Sequence, residues 1–586
     1  LVFGFGAFSA CDGGSGSAPS AASDEKLPCG VVHVLERNCV SCHGRKPRMA
    51  APMSLVTAAD FRAQRPGGRV SELVLDRIAS AARPMPPPPA ARLDSAQVAE
   101  MRAWITSGAR AAADGCRVRD TDANGGEGGG GQGSQPRDAA VTSTKDAAGS
   151  TTQPTSTTRA AWPMYGHDLA NSRAALDETA ITPSTVSSLT RAWEYTGAAS
   201  SSTPAVFDGT LYLTSWDGTV RALAVTDGAE QWSTTLPSLI DSSPAVTATQ
   251  IFVSDSKGSV HALDRRSGTL VWSVLVDPHP QVHLWSSPIY LEDAQLVVVG
   301  VASYEEIVSK PAVTFRGSVV ALDAATGKER WRFYTTGADA NEGAGVAVWA
   351  TATVDVGRHA LYVGTGNNYG QPSGPLEDSL LALDYDQGAL LWSTQFMSDD
   401  IFSLEDSSGP DYDIGSTANL FAVAGQDAIG IGIKSGTYAA LNRDSGHVEW
   451  KAQASPGGLF GGVISSPAYA DGVVYVAGND GAAGETIVSA LDVESGQFAW
   501  QRRLPMQSFS GVAYAGGVVF VGTMAGTIYA LAAADGSNLW SDVMPDVAGS
   551  AVVVDGALYV SWGYQLALGT SDPGLGGVIA YRSSAH

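Results

Sequence analysis

One unit recurs from about residue 190 to the end of the chain, and it constrains the fold more than any other feature of the sequence. A small-residue turn leads into an apolar strand ending near Ala-Leu-Asp, then a polar Gly turn, then a strand carrying Trp. It reads GTVRALAVTDGAEQW to Trp232, GSVHALDRRSGTLVW to Trp272 and GSVVALDAATGKERW to Trp331. It returns at SLLALDYDQGALLW (Trp392), GTYAALNRDSGHVEW (Trp450), IVSALDVESGQFAW (Trp500) and GTIYALAAADGSNLW (Trp540). The closing GGVIAY is the first half of the unit without its Trp strand, and LTRAWEYTG around Trp193 supplies the missing half at the start. Eight Trp in one phase predict an all-β eight-bladed propeller of four-stranded antiparallel sheets, with the first strand closing the last blade. The Trp strands are expected on the outside, their rings wedged between blades. The repeat spacing widens from about 40 to about 60 residues between Trp272 and Trp450, so the middle blades carry the long loops on which a site is built.

A chain of 586 residues exceeds one domain. Lys+Arg 36 against Asp+Glu 59 gives a net charge of −23, which excludes nucleic acid as a partner, because phosphates are repelled by an acidic surface. The opening LVFGFGAFSAC reads as the trailing part of an export signal, and FSAC resembles a lipobox with Cys11 as the lipidated residue. The expectation is an exported, periplasmic protein held to a bacterial membrane through Cys11. Residues 1–27 form this signal and tether, 28–116 a small all-α domain, 117–159 a flexible Gly/Ser/Thr-rich linker (GGEGGGGQG, then TSTKDAAGSTTQPTSTT), and 160–586 the propeller. The linker has a random-coil reach of roughly 35 Å.

Cys39-Val-Ser-Cys42-His43 is C-x-x-C-H, the spacing that attaches haem c. Two thioethers need thiols about one helical turn apart, and the adjacent His43 then faces the iron. Cys29 and Cys116 flank the domain, and in an oxidising compartment they are expected to pair. ERNCVSCHG, with ARPMPPPP leading into LDSAQVAEMRAWITSGA, resembles small exported cytochromes over residues 28–116. That resemblance puts the sixth iron ligand at Met85, with Met49, Met53 and Met101 as rivals. Met101 lies on the predicted terminal helix and reads as core. A His/Met pair implies an electron-transfer haem.

The propeller unit, with WPMYGHDLANSR leading in, resembles the pyrroloquinoline quinone (PQQ) dehydrogenases, the quinohaemoprotein alcohol dehydrogenases, and most closely their cytochrome-containing polyvinyl-alcohol dehydrogenase branch. The resemblance implies PQQ, haem c and Ca²⁺ as cofactors. In the family a Trp lies under the quinone and an Asn ligand of calcium follows 18 residues later in a GxGN turn; Trp349 and Asn367 match. The general base is an Asp eight residues after the next blade's Trp, followed at two by an aromatic; Asp400, after Trp392 and before Phe402, matches. VVVGVASYEE puts the acidic calcium ligand at Glu305, with Glu306 competing, and GIKSGTYAALN puts the quinone-contacting Lys at Lys434. Two departures stand out: the propeller has no cysteine for the adjacent-Cys disulfide of methanol dehydrogenases, and Ser201 replaces their quinone-binding Glu.

The residue types suit the chemistry by themselves. Alcohol oxidation needs a base (Asp400), an electrophile for hydride, and a hard cation with oxygen ligands (Glu305, Asn367) to polarise it. On residue type alone, Asp400 in SDDIFSLEDSSGPDYD also reads as part of a solvated acidic loop, Asn367 as a turn residue and Lys434 as a surface charge. The reading is a dehydrogenase oxidising secondary alcohols, polyvinyl alcohol or a similar polyol, to ketones. Its electrons pass to haem c and on to a soluble cytochrome or the respiratory chain. The alternatives are another alcohol or sugar as substrate, or a non-catalytic scaffold like the propeller lipoproteins of outer-membrane assembly, a kind that predicts neither CVSCH nor the Trp349, Asn367 and Asp400 spacings.

Overall fold

The computed structural model describes residues 26–39, 54–65, 68–79, 93, 95–110, 112, 116, 161–305, 313–337, 343–370, 372–400, 411–458, 460–545, 548–563 and 574–583. The chain divides into two compact units, 1–151 and 152–586. Among the described residues no helix is long and apolar enough to cross a membrane.

The first unit is helical. Helices α1 (Cys29–Asn38), α2 (Ala58–Arg62), α3 (Val70–Ala79) and α4 (Ser95–Thr106) surround a core that includes Val31, Leu35, Phe61, Ile78, Met101 and Trp104. Thr57 and Asp60 cap α2 reciprocally, side chain to backbone in both directions, which satisfies two of its orphan donors. Phe61 meets Trp104 edge-on at 4.8 Å, and the Trp104 indole donates to the Arg110 carbonyl at 2.9 Å. Met101 is buried in this core, as its helical position predicts. A disulfide joins Cys29 to Cys116, and the backbones of Leu27 and Cys116 exchange two hydrogen bonds of 2.8 Å beside it. Cys39 follows the last turn of α1, its N–H on the Leu35 carbonyl. Cys42, His43 and Met85 lie outside the described residues, as do Cys11, expected to carry the anchor, and residues 117–159, expected to form the linker.

The second unit is the eight-bladed propeller. Its sheets run in chain order: blade 1 over 205–235, blade 2 over 245–275, blade 3 over 289–334, blade 4 over 353–395, blade 5 over 419–453, blade 6 over 468–505 and blade 7 over 513–543. Blade 8 combines 548–583 with the strand Leu189–Ala198, which pairs antiparallel with Leu575–Ser583, Trp193 opposite Ala580. The chain's first long strand therefore closes the ring.

The Trp strands are the outer ones. In seven blades the indole N–H donates to a carbonyl in the Gly turn of the next blade: Trp193 to Val225, Trp232 to Arg265, Trp272 to Ala324, Trp331 to Tyr385, Trp392 to Arg443, Trp450 to Val493 and Trp500 to Ala533, at 2.8–3.2 Å. Each ring lies against the glycine of that turn. At Gly268 (φ +69°) a Cβ would stand 2.4 Å from the Trp232 ring, so the turn needs glycine for its conformation and for the close approach. Trp540 faces a blade that lacks this turn and packs edge-on against Tyr581 instead, 5.1 Å away.

Two further devices set up the centre. Where five of the blades begin, a backbone N–H donates to a side-chain hydroxyl of the next blade: Thr203 to Ser243, Ser243 to Ser287, Ser287 to Thr351, Thr417 to Ser466 and Gly511 to Ser550, at 2.8–3.0 Å. At the other end of the first strands, the lead-in segment 162–175 crosses the axis. Its backbone bonds Val206, Val246, Val354, Leu420, Tyr469 and Tyr514, which belong to six different blades. The buried Arg173 guanidinium pins it to the Val512 and Tyr165 carbonyls. One end of the ring is thus crossed by the chain's own segment, and the residues that precede the first strands lie toward the opposite end.

Candidate functional site

Blades 4 and 5 build the site. Trp349 immediately precedes the start of blade 4, and Gly415 occupies the same position of the repeat before blade 5. The Gly415 backbone lies flat on the Trp349 indole: a Cβ there would stand 1.8 Å from the ring. Asn367 follows the second strand of blade 4 (Ala360–Gly364). It is buried, its N–H donating to Asp413 Oδ1 at 2.8 Å and its carbonyl accepting from Val346. Gly366 beside it has Asp413 Oδ1 and the Trp349 indole nitrogen where a Cβ would be, at 2.6 and 3.5 Å. Lys434, after the second strand of blade 5 (Gln426–Gly432), places Nζ 2.7 Å from Asp411 Oδ2, 2.8 Å from Asp413 Oδ2 and 5.9 Å from the centre of the Trp349 ring. Asp400 is buried and accepts from the Tyr412 N–H at 3.0 Å.

Trp349, Asn367, Asp400 and Lys434 are thereby joined through one short segment, Asp411–Gly415. Glu305 belongs to another set. Its two oxygens accept from the N–H groups of Thr314 and Phe315 at 2.7–3.0 Å, and His279 Nε2 lies 3.6 Å away. Glu306, its competitor, lies outside the described residues, as do 401–410 after Asp400. Among the described residues no group of three or more His, Cys, Asp or Glu is arranged to hold a metal ion by itself.

The electrostatics are dominated by carboxyl groups. Asp378, fully buried ahead of the third strand of blade 4, has no donor on either oxygen while it is ionised. Burial, then the charges of Asp413 and Asp400, push its carboxyl up to about 11, so it holds a proton at neutral pH and donates it to Asp400. Asp411 is pushed up to about 7 by burial and by Asp413, with Lys434 pulling the other way. Burial works against the Lys434 ammonium, but Asp413 and Asp411 outweigh it and hold it above the ordinary lysine range. Glu377 accepts from the Asn368 amide, from Ser373 and from the Asp399 N–H, the last at 2.7 Å. The cluster thus holds five carboxyls and one ammonium, which Asp411 and Asp413 contact. The arrangement offers a flat aromatic face, a base buried beside a proton-holding partner, and hard oxygens in excess of local cation charge.

Asp378, Asp411, Asp413 and Glu377 did not emerge from the sequence. A usable signal was present in Asp411-Tyr412-Asp413, where alternate residues lead up to the Gly415 position of the repeat, aligned with Trp349.

The sequence model of the PQQ_2 family, described as outer membrane protein assembly factor BamB, matches residues 172–374, 376–504 and 483–567. A polyvinylalcohol dehydrogenase of Sphingopyxis sp. (strain 113P3) is 31% identical over 350 residues, 53% of this chain and 53% of its own. Another, from Pseudomonas sp., is 29% identical over 428 residues, 65% of this chain and 67% of its own. The chain thus spans about half the length of the first relative and two thirds of the second. In structure it is similar to the quinohemoprotein alcohol dehydrogenase ADHIIG of Pseudomonas putida HK5, with TM-score 0.61 and 20% identity over 73% of this chain and 80% of that one. The enzyme of Comamonas testosteroni gives TM-score 0.59 and 20% identity over 72% and 80%. At that identity the likeness is one of fold. The chain belongs to the PQQ_2 propeller family, and its sequence relatives include polyvinylalcohol and quinohemoprotein alcohol dehydrogenases.

Proposed function

We propose that this protein is a PQQ-dependent quinohaemoprotein alcohol dehydrogenase, oxidising secondary alcohols of polyvinyl alcohol or a similar polyol to ketones. The observation that carries the reading is the convergence of Trp349, Asn367, Lys434 and Asp400, drawn from separate segments of blades 4 and 5, on Asp411–Gly415.

The residues fit the implied groups. Trp349 presents an indole held from one side by Gly415, a platform for a planar ring system, and Lys434 stands near its rim as a hydrogen-bond donor. The surplus of buried carboxyls suits a hard divalent cation. The family resemblance assigns calcium to Asn367 and Glu305; Asn367 lies in the carboxyl cluster, whereas Glu305 is engaged by the Thr314 and Phe315 amides and would have to leave them to share the ion. Haem c is assigned to Cys39, Cys42, His43 and Met85. When bound, the quinone supplies the hydride acceptor, the cation polarises it, and the haem carries electrons onward singly to a soluble cytochrome or the respiratory chain.

The chain's own part is proton management. Asp400 is the base for the substrate hydroxyl. The Tyr412 N–H and the Asp378 carboxyl hold its carboxyl group in one orientation. Lys434, fixed by two carboxylates, stays an ammonium and cannot compete for the substrate proton.

The test uses full-length protein given PQQ and Ca²⁺. Adding a secondary alcohol is expected to reduce the haem, read from its visible spectrum. Asp400→Asn is expected to slow this by roughly 10²–10⁴-fold while the quinone stays bound. Quinone binding without haem reduction by any alcohol would remove the reading. The name of the matching family model favours one other reading, a scaffold in outer-membrane assembly, and failure to bind PQQ at all would point to it.

A further inference from the structure

Two pairs of neighbouring residues, Glu377-Asp378 and Asp399-Asp400, are joined at one end of blade 4. The Asp378 carboxyl donates to Asp400, and the Asp378 carbonyl accepts from the Phe396 N–H at 2.9 Å. Glu377 takes the backbone instead. Its Oε1 accepts from the Asp399 N–H at 2.7 Å and from the Ser373 hydroxyl. Ser373 Oγ lies 3.1 Å from the same N–H and shares it. The other oxygen, Oε2, accepts from the side-chain amide of Asn368, the residue next to Asn367. A single carboxyl therefore connects the neighbour of the expected calcium ligand to the neighbour of the proposed base. Glu377 is 0% exposed and Asn368 2%, whereas Asp399 is exposed.

Two features set this contact apart from ordinary loop packing. Asp399 holds a left-handed backbone, φ +59°, and so does Asp378, φ +44°. Such conformations are strained in a residue with a Cβ and persist where the surroundings fix them. At Asp399 the hydrogen bond to Glu377 supplies that restraint. The second feature is the carboxyl itself. Its donors among the described residues are an amide, a hydroxyl and a backbone N–H, all neutral, so it is buried without the cation that usually offsets such a group. An exposed turn needs no buried acid to close it, but a turn that must hold one direction does. The restraint also passes onward. Asp400 accepts from the Tyr412 N–H at 3.0 Å, and Tyr412 lies between the two aspartates that bind Lys434.

We infer that Glu377 is a positioning residue: by holding the Asp399 N–H and the Asn368 amide it fixes the Asp399–Asp400 turn, and with it the direction of the Asp400 carboxyl. The inference rests on the dehydrogenase reading for the role of Asp400. Glu377 acts through the backbone, so its reach matters more than its charge. Side-chain length decides whether Oε1 meets the Asp399 N–H, and misplacing a reacting group by about 1 Å costs up to roughly 10²-fold in rate. Glu377→Gln keeps the reach. Its oxygen still accepts from Asp399, while its amide faces Asn368, whose Oδ1 is buried without a donor and is presented by a flip of the Asn368 amide. Glu377→Asp keeps the acid but withdraws it by one methylene. A cation ligand would show the reverse order, tolerating Asp better than Gln.

The experiment uses the full chain loaded with PQQ and Ca²⁺ and follows two readouts. Amide hydrogen exchange at Asp399 is read by mass spectrometry with electron-transfer fragmentation, and haem reduction by a secondary alcohol gives kcat and KM. Glu377→Asp is expected to speed Asp399 exchange by about tenfold or more. It is expected to lower kcat by roughly 10–100-fold, with KM and quinone absorbance kept within about twofold. Glu377→Gln is expected to stay within about threefold of the wild type in both readouts. Ser373→Ala removes the hydroxyl that shares the Asp399 N–H and should move both readouts the same way by about threefold, which decides the matter if Glu377→Asp does not fold. Slow exchange retained in Glu377→Asp, faster exchange with kcat unchanged, or a Gln variant slower than the Asp variant overturns the inference. Wild-type protein that turns over no alcohol sinks the dehydrogenase reading, and the expected order of exchange rates then still supports Glu377 as the anchor of the turn.

Discussion

At Gly415 the smallest residue sits where the largest sits one blade earlier, and the two are partners: the glycine backbone is the surface on which the Trp349 ring rests. Gly415→Ala puts a methyl 1.8 Å from that ring, so the indole must move. The expected outcome is a loss of quinone affinity of about tenfold or more, about 1.4 kcal/mol, with the blades intact, read by absorbance titration and far-UV circular dichroism. The carboxyls nearby make a pH prediction. Asp378 and Asp411 have folded-state values raised to about 11 and about 7 from an ordinary 3.8. A raised acid binds more protons folded than unfolded, so its contribution is full below the ordinary value and is lost as pH rises through the folded one. Cofactor-free propeller should therefore melt at progressively lower temperature from pH 5 to pH 9. Asp378→Asn, which keeps the shape without the charge, should flatten that slope, and added Ca²⁺ should do the same if the cation occupies the carboxyl cluster. A melting temperature that climbs over this range would contradict the burial of these acids.

The element scale is governed by the contact between an indole and a glycine turn. Each Trp strand spends its ring on the next blade, so a blade's outer strand holds its neighbour as well as its own sheet. Gly268→Ala meets two obstacles at once, a left-handed backbone and a ring 2.4 Å away. It is expected to cost roughly 1–3 kcal/mol, read as a lower urea midpoint. Trp232→Phe keeps most of the apolar contact but leaves the Arg265 carbonyl without its donor, for roughly 1–3 kcal/mol. In the helical unit the corresponding staple is covalent. The Cys29–Cys116 disulfide closes a loop with a sequence separation of 87. By the chain-entropy model its reduction should destabilise that unit by about 4.5 kcal/mol, seen as a lower melting temperature in dithiothreitol than after mock treatment.

For the whole molecule the critical element is the one that joins its ends. Leu189–Ala198 completes blade 8, and Trp193 also reaches the turn of blade 1, so this strand serves two blades at once. A chain truncated to begin at Ala199 should lose cooperative unfolding, because blade 8 is left with three strands and an uncovered edge. Circular dichroism during urea titration would show a broad transition or none. The lead-in segment 162–175 is a second whole-molecule device, its backbone bonding six blades and pairing as a short parallel strand with blade 7.

The local pattern was enough to number the blades, to put the Trp strands outside, and to foresee that the first strand closes the last blade, because these follow from a repeat whose phase can be counted. It also picked out Trp349, Asn367, Asp400 and Lys434, whose spacing within each repeat resembles a known family. It did not reveal that Asp411 and Asp413 tie those residues together, that Asp378 holds a proton against Asp400, or that Glu305 bonds the Thr314–Phe315 backbone instead of joining the cluster. Those facts depend on which loops meet after eight sheets have closed into a ring. Periodicity is a property of neighbours in sequence and can be read there, whereas a buried carboxyl's partners and proton are set by groups dozens of residues away, which only the closed ring brings within reach.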